Sequence, residues 1–327
     1  MVSDPTTRRS LTGDQVVATV RAMASTIAVV SRVDSRSTGY SAGLAAAKRV
    51  FRAVDAICSR FDPDSDLTRM NAAPSRWHEV PELLYEAVGE AHRAYLHTRG
   101  TFDPRVYGDL VRLGYDRSLP FDGPIVDTPG VAVSRGPAGP WRPRFRGGRR
   151  PQVHLGGAAI DLGGIGKGLS VRWAARRLVD THRDFLIDAG GDCLCRGAGP
   201  DGPGWRVAVE DPHGGPDPLA VLELRDVACA TSSVRVRRWR AGGRPVHHLI
   251  DPRTGSPGGQ GLTAVTVVGD DPAESEVMSK VLFLRGRDHI ESEARRRHIA
   301  ALWVTADGVV TESPRMDQHV LWRKAGG

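Results

Sequence analysis

From Val153 onward the chain alternates short β-branched runs with turn formers, and this alternation limits its possible folds more than any other feature. The stretches VHLGGAAIDLGGIGKG, LSVRWAARRLVDTH and DFLIDAGGDCLCRG read as strand, turn, helix and strand. WRVAVEDP, LAVLELRDVACATSS, RVRRWRAGGRPVHHLIDP and LTAVTVVGD continue as strands. Ala241-Gly242-Gly243 and Asp307-Gly308 are hairpin turns of the kind that join antiparallel neighbours. A parallel sheet needs a crossover of a dozen or more residues after each strand. Hairpins outnumber such crossovers here, so an α+β fold with mainly antiparallel sheets is expected rather than a doubly wound parallel one.

The first half carries the helices. Phe51, Val54, Ile57, Cys58 and Phe61 recur at three- and four-residue steps, predicting a helix that ends before Asp62-Pro63. A second amphipathic helix runs through PELLYEAVGEAHRAYLHTRG, opened by Pro81 and closed by Gly100. In the second half, Val171, Ala174, Ala175, Leu178 and Val179 form a buried helical stripe. A final helix starts at Asp271-Pro272-Ala273-Glu274, a capping-box pattern. Residues 116–150 are rich in Pro, Gly and Arg and read as a long connection. A flexible leader (1–15), a single domain (16–321) and a short tail (322–327) are expected.

Charge adds a narrower constraint. The formal net charge is +7, which suits an anionic partner, and only four of the 45 basic residues are lysine: Lys48, Lys167, Lys280 and Lys324. Aromatic interleaving in the arginine-rich loop is sparse, so it reads as a solvated surface and no nucleic-acid partner is expected. No apolar leader or run of about 18 apolar residues is present, so no transmembrane segment and a cytoplasmic location are expected. Cys58, Cys193, Cys195 and Cys229 lack disulfide-framework or CxxC spacing and read as reduced core thiols.

Three segments carry chemistry. Asp161-Leu162-Gly163-Gly164-Ile165-Gly166-Lys167-Gly168 reads as a strand running through glycines into a helix, which aims backbone N–H groups and the positive helix end at an anion. It is neither a P-loop nor a dinucleotide fingerprint, because the glycines and the residue after the lysine are misplaced. A tight structural turn and a phosphate cradle both remain open, and Lys167 favours the cradle. In His247-His248-Leu249-Ile250-Asp251-Pro252, the two histidines point to opposite faces of a strand, so one alone can enter a given cleft. That one could take a proton from an attacking hydroxyl, or could be a hydrogen-bonded structural histidine. Glu276 and Lys280 lie four residues apart on the Asp271 helix, the spacing of an ordinary exposed ion pair.

Taken together, from Ala22 to Leu321, these segments resemble the ApbE family of FAD:protein FMN transferases. The likeness begins at Met23-Ala24-Ser25, passes through the turn from Phe61 to Asn71, and reaches a GAFDP-like element at Gly100-Thr101-Phe102-Asp103-Pro104. A DLGGIAKG-like element follows at Asp161–Gly168, with Gly166 as its single departure. Gly190-Gly191-Asp192 and Thr231-Ser232-Ser233 come next, and the HIIDPRTG-like stretch from His248 to Gly255 departs only at Leu249. The resemblance implies two αβ subdomains (ApbE-like, T-fold-like) with flanking helices and an FAD site between them. It also implies attack of a partner protein's Thr or Ser hydroxyl on the FMN phosphorus of FAD, releasing AMP. Met23, Thr101, Phe102, Asp103, Asp161, Gly163, Gly164, Lys167, Gly190, Thr231, Ser232 and Leu249 would then contact FAD, and His248, Glu276 and Lys280 would serve catalysis.

The departures fall on the family's cation. The resemblance implies a Mg²⁺ ion near Gly164, Gly166, Glu276 and Ser279. The helix there is ADALAT-like, but Glu276 stands at its Asp position and Lys280 at its Thr position. An ammonium where an oxygen ligand is expected suggests that Lys280 supplants the metal and is directed at the FAD phosphates. The same change also fits a relative that binds FAD without transferring it, one that hydrolyses FAD to FMN and AMP, or a displaced metal site.

Overall fold

A computed structural model describes residues 9–12, 15–32, 39–121, 123–130 and 139–324. Nine strands form one fully antiparallel sheet: Arg9–Thr12, Gln15–Ala22, Ser25–Arg32, Phe185–Ala189, Cys193–Arg196, Val227–Ser233, Leu262–Gly269, Ala300–Thr305 and Val310–Glu312, in that spatial order. The α+β fold with mainly antiparallel sheets is therefore as expected. The two halves share this sheet without a break, because Ser25–Arg32 pairs with Phe185–Ala189 and Cys193–Arg196 pairs with Val227–Ser233.

Period-two patterning explains the layers. Val16, Ala18, Val20 and Ala22 alternate inward along their strand and pack with Ile27 and Val29 beneath the helices Tyr40–Cys58 and Gly166–Ala175. Each fully buried Val or Ile there contributes about 1.5–3 kcal/mol. The opposite face is covered by a small sheet of Trp205–Val209, Ala220–Leu224 and Val320–Arg323. A second core joins Leu84, Ala87 and Val88 of the Glu82–His97 helix to Val277, Val281 and Leu282 of the Pro272–Leu284 helix.

Several local expectations are corrected. No strand leads into Asp161. Gln152–His154 belongs to a separate small sheet with His78–Glu79 and Arg144–Arg146. Gly156 and Gly157, at φ +85° and +97°, break the ladder, and Ile160 is then held by the Asn71 side chain instead of a neighbouring strand. The first helix stops at Cys58, because Ser59 Oγ accepts from the Phe61 and Asp62 amides and turns the chain, leaving Phe61 exposed. The Gly166 helix ends at Ala175, so Leu178 is buried by a turn and Val179 is exposed. A further helix, Ile290–Arg297, follows the one expected to be last; its charge-rich sequence hides a two-residue apolar stripe, Ile290 and Ala294.

Residues 116–150 carry only the short strands Asp127–Thr128 and Arg144–Arg146 among the described residues, and 122 and 131–138 lie outside them. Of the expected leader, Arg9–Thr12 pair at the sheet edge, while 1–8, 13 and 14 are outside the described residues. The Val320–Arg323 strand carries the fold past the boundary expected at 321, and 325–327 are outside the described residues. Among the described residues no helix is long and apolar enough to cross a membrane.

Candidate active site

The site lies where the N-terminus of the Gly166–Ala175 helix meets the Pro272–Leu284 helix and the loop after the Arg244–His247 strand. The two helices touch because Gly168 has no side chain: a Cβ there would sit 2.4 Å from the Pro272 carbonyl oxygen. Across the contact, the Gly168 amide donates to Glu276 Oε2 at 2.8 Å. That carboxylate, fully buried, satisfies one of the donors a helix N-terminus leaves unpaired. Its other oxygen, Oε1, accepts from Lys280 Nζ at 3.2 Å. The exposed ion pair suggested by i,i+4 spacing is thus a largely enclosed one, with Glu276 buried and Lys280 half-buried, because the helix carrying it is enclosed on nearly every side.

Two cavities open around this pair. The first, about 110 Å³, is walled by Phe61, Phe102, Tyr115, Leu249 and Leu284, with Thr101, Asp103 and Gly164 at its edge. Arg60 lies over the Phe61 ring at 4.0 Å and the Tyr115 ring at 4.5 Å, and its Nε is 3.0 Å from Asp161 Oδ2. The second cavity, about 610 Å³, is polar, with Lys167, Asp188, Gly190, Arg206, Glu210, Thr231 and Ser232 in its wall. Gly163, Arg237, His248 and Lys280 line both cavities and so mark their junction.

The residues around the glycine turn are held firmly. Asp161 accepts from the Gly163 amide at 2.7 Å, and its own amide donates to the Pro104 carbonyl at 2.7 Å. Lys167, expected to hold phosphate, forms an ion pair with buried Asp192, whose other oxygen accepts from the Thr231 amide at 3.2 Å. It faces the second cavity with that partner attached. Asp103 pairs with Arg105. Met23 does not line either cavity; with Ala24 it makes a hairpin turn at φ +52° and +54°, and Ala24 and Ser25 reach the second cavity instead. The Met23 amide is tied to Asp55 Oδ1 at 2.9 Å, which helps hold a backbone conformation unfavourable for non-glycine residues.

The two histidines do face opposite ways. His247 packs edge-on against Phe283, and burial pushes its pKa down to about 4. His248 enters the cavity junction. Its Nδ1 lies 3.3 Å from the Arg237 carbonyl oxygen, a bond that assigns the proton to Nδ1 and leaves Nε2 as an acceptor. Desolvation, followed by the charges of Arg237, His247 and Lys280, holds its pKa well below the ordinary imidazole value. A neutral imidazole with a free Nε2 can accept a proton at neutral pH.

The expected magnesium ligands do not fit a divalent cation. Both Glu276 oxygens are engaged, one by an amide and one by an ammonium. Ser279 is buried, its hydroxyl bonded to Ser232 Oγ at 2.7 Å and to the Glu276 carbonyl at 2.9 Å, and it lines neither cavity. Gly166 does not line them either, and Gly164 packs beside the Lys280 stem. Among the described residues no three His, Cys, Asp or Glu side chains gather as a metal site.

Sequence reasoning missed Arg237, Arg60 and the partner role of Asp192. Arg237 is indistinguishable by composition from Arg235, Arg238 and Arg240 around it. Asp192 followed a recognised glycine pair, and that position was the only available signal.

The molecule is thus an antiparallel α+β protein in which a small aromatic-walled cavity and a larger polar one meet at Gly163, Arg237, His248 and Lys280. The family model described as the ApbE family matches residues 23–303, and the chain belongs to that family. It is 27% identical over 263 residues to the FAD:protein FMN transferase of Klebsiella pneumoniae, covering 78% of this chain and 74% of that protein. To the FAD:protein FMN transferase of Salmonella typhimurium it is 28% identical over 262 residues, with the same coverage. Among solved structures, the ApbE protein of Thermotoga maritima superposes with a TM-score of 0.75 at 23% identity, over 96% of this chain and 99% of that one. The flavinyl transferase ApbE of Pseudomonas stutzeri gives 0.73 at 21%, over 98% and 100%. At these identities the superpositions speak for the fold.

Proposed function

We propose that this protein is a flavin transferase: it binds FAD and moves the FMN moiety onto a Thr or Ser hydroxyl of a partner protein, releasing AMP. The observation that carries the reading is the junction of Gly163, Arg237, His248 and Lys280 between an aromatic cavity and a polar one. FAD has two ring systems separated by a pyrophosphate, and a cationic junction between two cavities suits that charge distribution. The acceptor oxygen forms a bond to the FMN-side phosphorus as the bond from that phosphorus to the bridging oxygen breaks. AMP departs with the bridging oxygen, and His248 Nε2 takes the hydroxyl proton. The flavin does not change oxidation state.

Positioning and charge stabilisation do most of the work in such transfers, because the protein makes no covalent bond. Lys167 with Asp192, Thr231 and the Gly190 turn would contact the ligand in the larger cavity, and Thr101, Phe102, Asp103 and Leu249 in the smaller one. Cytoplasmic residence belongs to the same proposal.

Incubating the protein with FAD and an acceptor bearing the family's threonine motif tests this reading. A mass increase of the acceptor by one FMN, with stoichiometric AMP, is the expected result. AMP and FMN released without acceptor modification would replace transfer by hydrolysis, and FAD binding with neither product would reduce the protein to a flavin binder.

A further inference from the structure

We infer that the side chains of Lys280 and Arg237 together supply the positive charge for phosphoryl transfer at the cavity junction, so that the reaction proceeds without a divalent cation. This rests on the phosphoryl-transfer reading above. Lys280 is anchored from one side only. Its ammonium donates to Glu276 Oε1 at 3.2 Å and to the Glu276 carbonyl at 3.3 Å, and no third acceptor is within reach among the described residues. The remaining N–H is therefore available to the cavities that Lys280 lines. Its stem runs past Gly164, where a Cβ would lie 3.5 Å from the Lys280 Cδ and Cε and 2.9 Å from Phe102. The missing side chain leaves the lysine a fixed passage.

Arg237 completes the pair. Its guanidinium has no carboxylate or carbonyl partner among the described residues, although its charge reaches His248 and Tyr115. An arginine left unpartnered at the meeting point of two cavities is poised for an incoming anion, and its planar fork suits phosphate oxygens. Two monovalent cations of the protein thus line the junction of the cavities. A divalent ion beside Glu276 would need several oxygen ligands at about 2.1 Å, whereas the carboxylate is already bonded and an ammonium is 3.2 Å from it. Charge aimed at the transferring phosphoryl group accelerates the step because it is in place before the transition state forms.

Two measurements decide the matter. In the first, FMN transfer by the full chain is followed in excess chelator and in added Mg²⁺. Equal rates are expected, with Lys280→Ala and Arg237→Ala each about 10²-fold slower in kcat, and Lys280→Arg partly restored. Activity lost in chelator and regained with Mg²⁺ would overturn the inference. The second needs no turnover: Mn²⁺ is titrated into the FAD-bound protein and followed by electron paramagnetic resonance. The native protein should hold no stoichiometric Mn²⁺, and Lys280→Thr, which frees Glu276 Oε1, should gain one ion. One tightly bound Mn²⁺ per native chain would refute the inference even if a variant failed to fold. If no transfer or AMP release occurs at all, the proposed function fails, while the Mn²⁺ titration still answers the question of the cation.

Discussion

His248 combines two properties that usually compete. Burial lowers its pKa, which keeps it neutral and ready to accept a proton but makes it a weaker base. The acidic limb of the pH–rate profile should therefore lie well below the ordinary imidazole pKa of about 6.5. A limb centred at 6.5 or above would show that a different group accepts the proton. His248→Ala should lower kcat far more than it weakens FAD binding, and matching losses in both would assign the residue to binding alone. The family likeness located this residue. Its tautomer was set by the Arg237 carbonyl, a neighbour across the hairpin, next to the paired strand Arg238–Ala241.

At the scale of elements, the contact between the Gly166–Ala175 and Pro272–Leu284 helices does most to build the site. Gly168→Ala would drive a Cβ to within 2.5 Å of Ala273 Cα, so the helices must separate. A loss of about 1–3 kcal/mol in denaturant unfolding is expected, with a wild-type-like midpoint as the result that would refute it. Gly166→Ala is the internal control, since a Cβ there meets nothing within 4 Å. It should be neutral or stabilising within about 1 kcal/mol. The helices and hairpins were readable from apolar periods and turn residues. The stretch into Asp161 misled as a strand because the Ile160 backbone pairs with a side chain 89 residues away, Asn71, and the Asp161 amide with the Pro104 carbonyl, and neither with a sheet neighbour.

For the whole molecule, desolvation holds the pKa of His182, His247 and His248 below the ordinary imidazole value, that of His247 at about 4. Its folded pKa lies below its unfolded value, so between about pH 6.5 and 4 the unfolded chain binds the extra proton. The stabilisation is complete above that window and is lost as pH falls through it, by up to about 3 kcal/mol for a shift of this size. His247→Gln should flatten that part of the stability profile, and a profile parallel to the wild type would assign the acid sensitivity to other groups. Ligand linkage acts in the opposite direction: FAD at 100 times its Kd should add about 2.7 kcal/mol to stability. A thermal midpoint unmoved by FAD would count against the shared cavity junction.

The sequence alone determined the antiparallel α+β class, the family likeness and the order of its chemical segments, because alternation, turn residues and short motifs are local properties of a chain. It also exposed Glu276 and Lys280 as a departure. Only the tertiary structure decided what that departure is: a carboxylate with no exposed surface, bonded to the amide of another helix and to an ammonium that lines two cavities. Burial and the identity of a partner 108 residues away depend on how helices pack, and an i,i+4 spacing is the same on a solvated face as in a core.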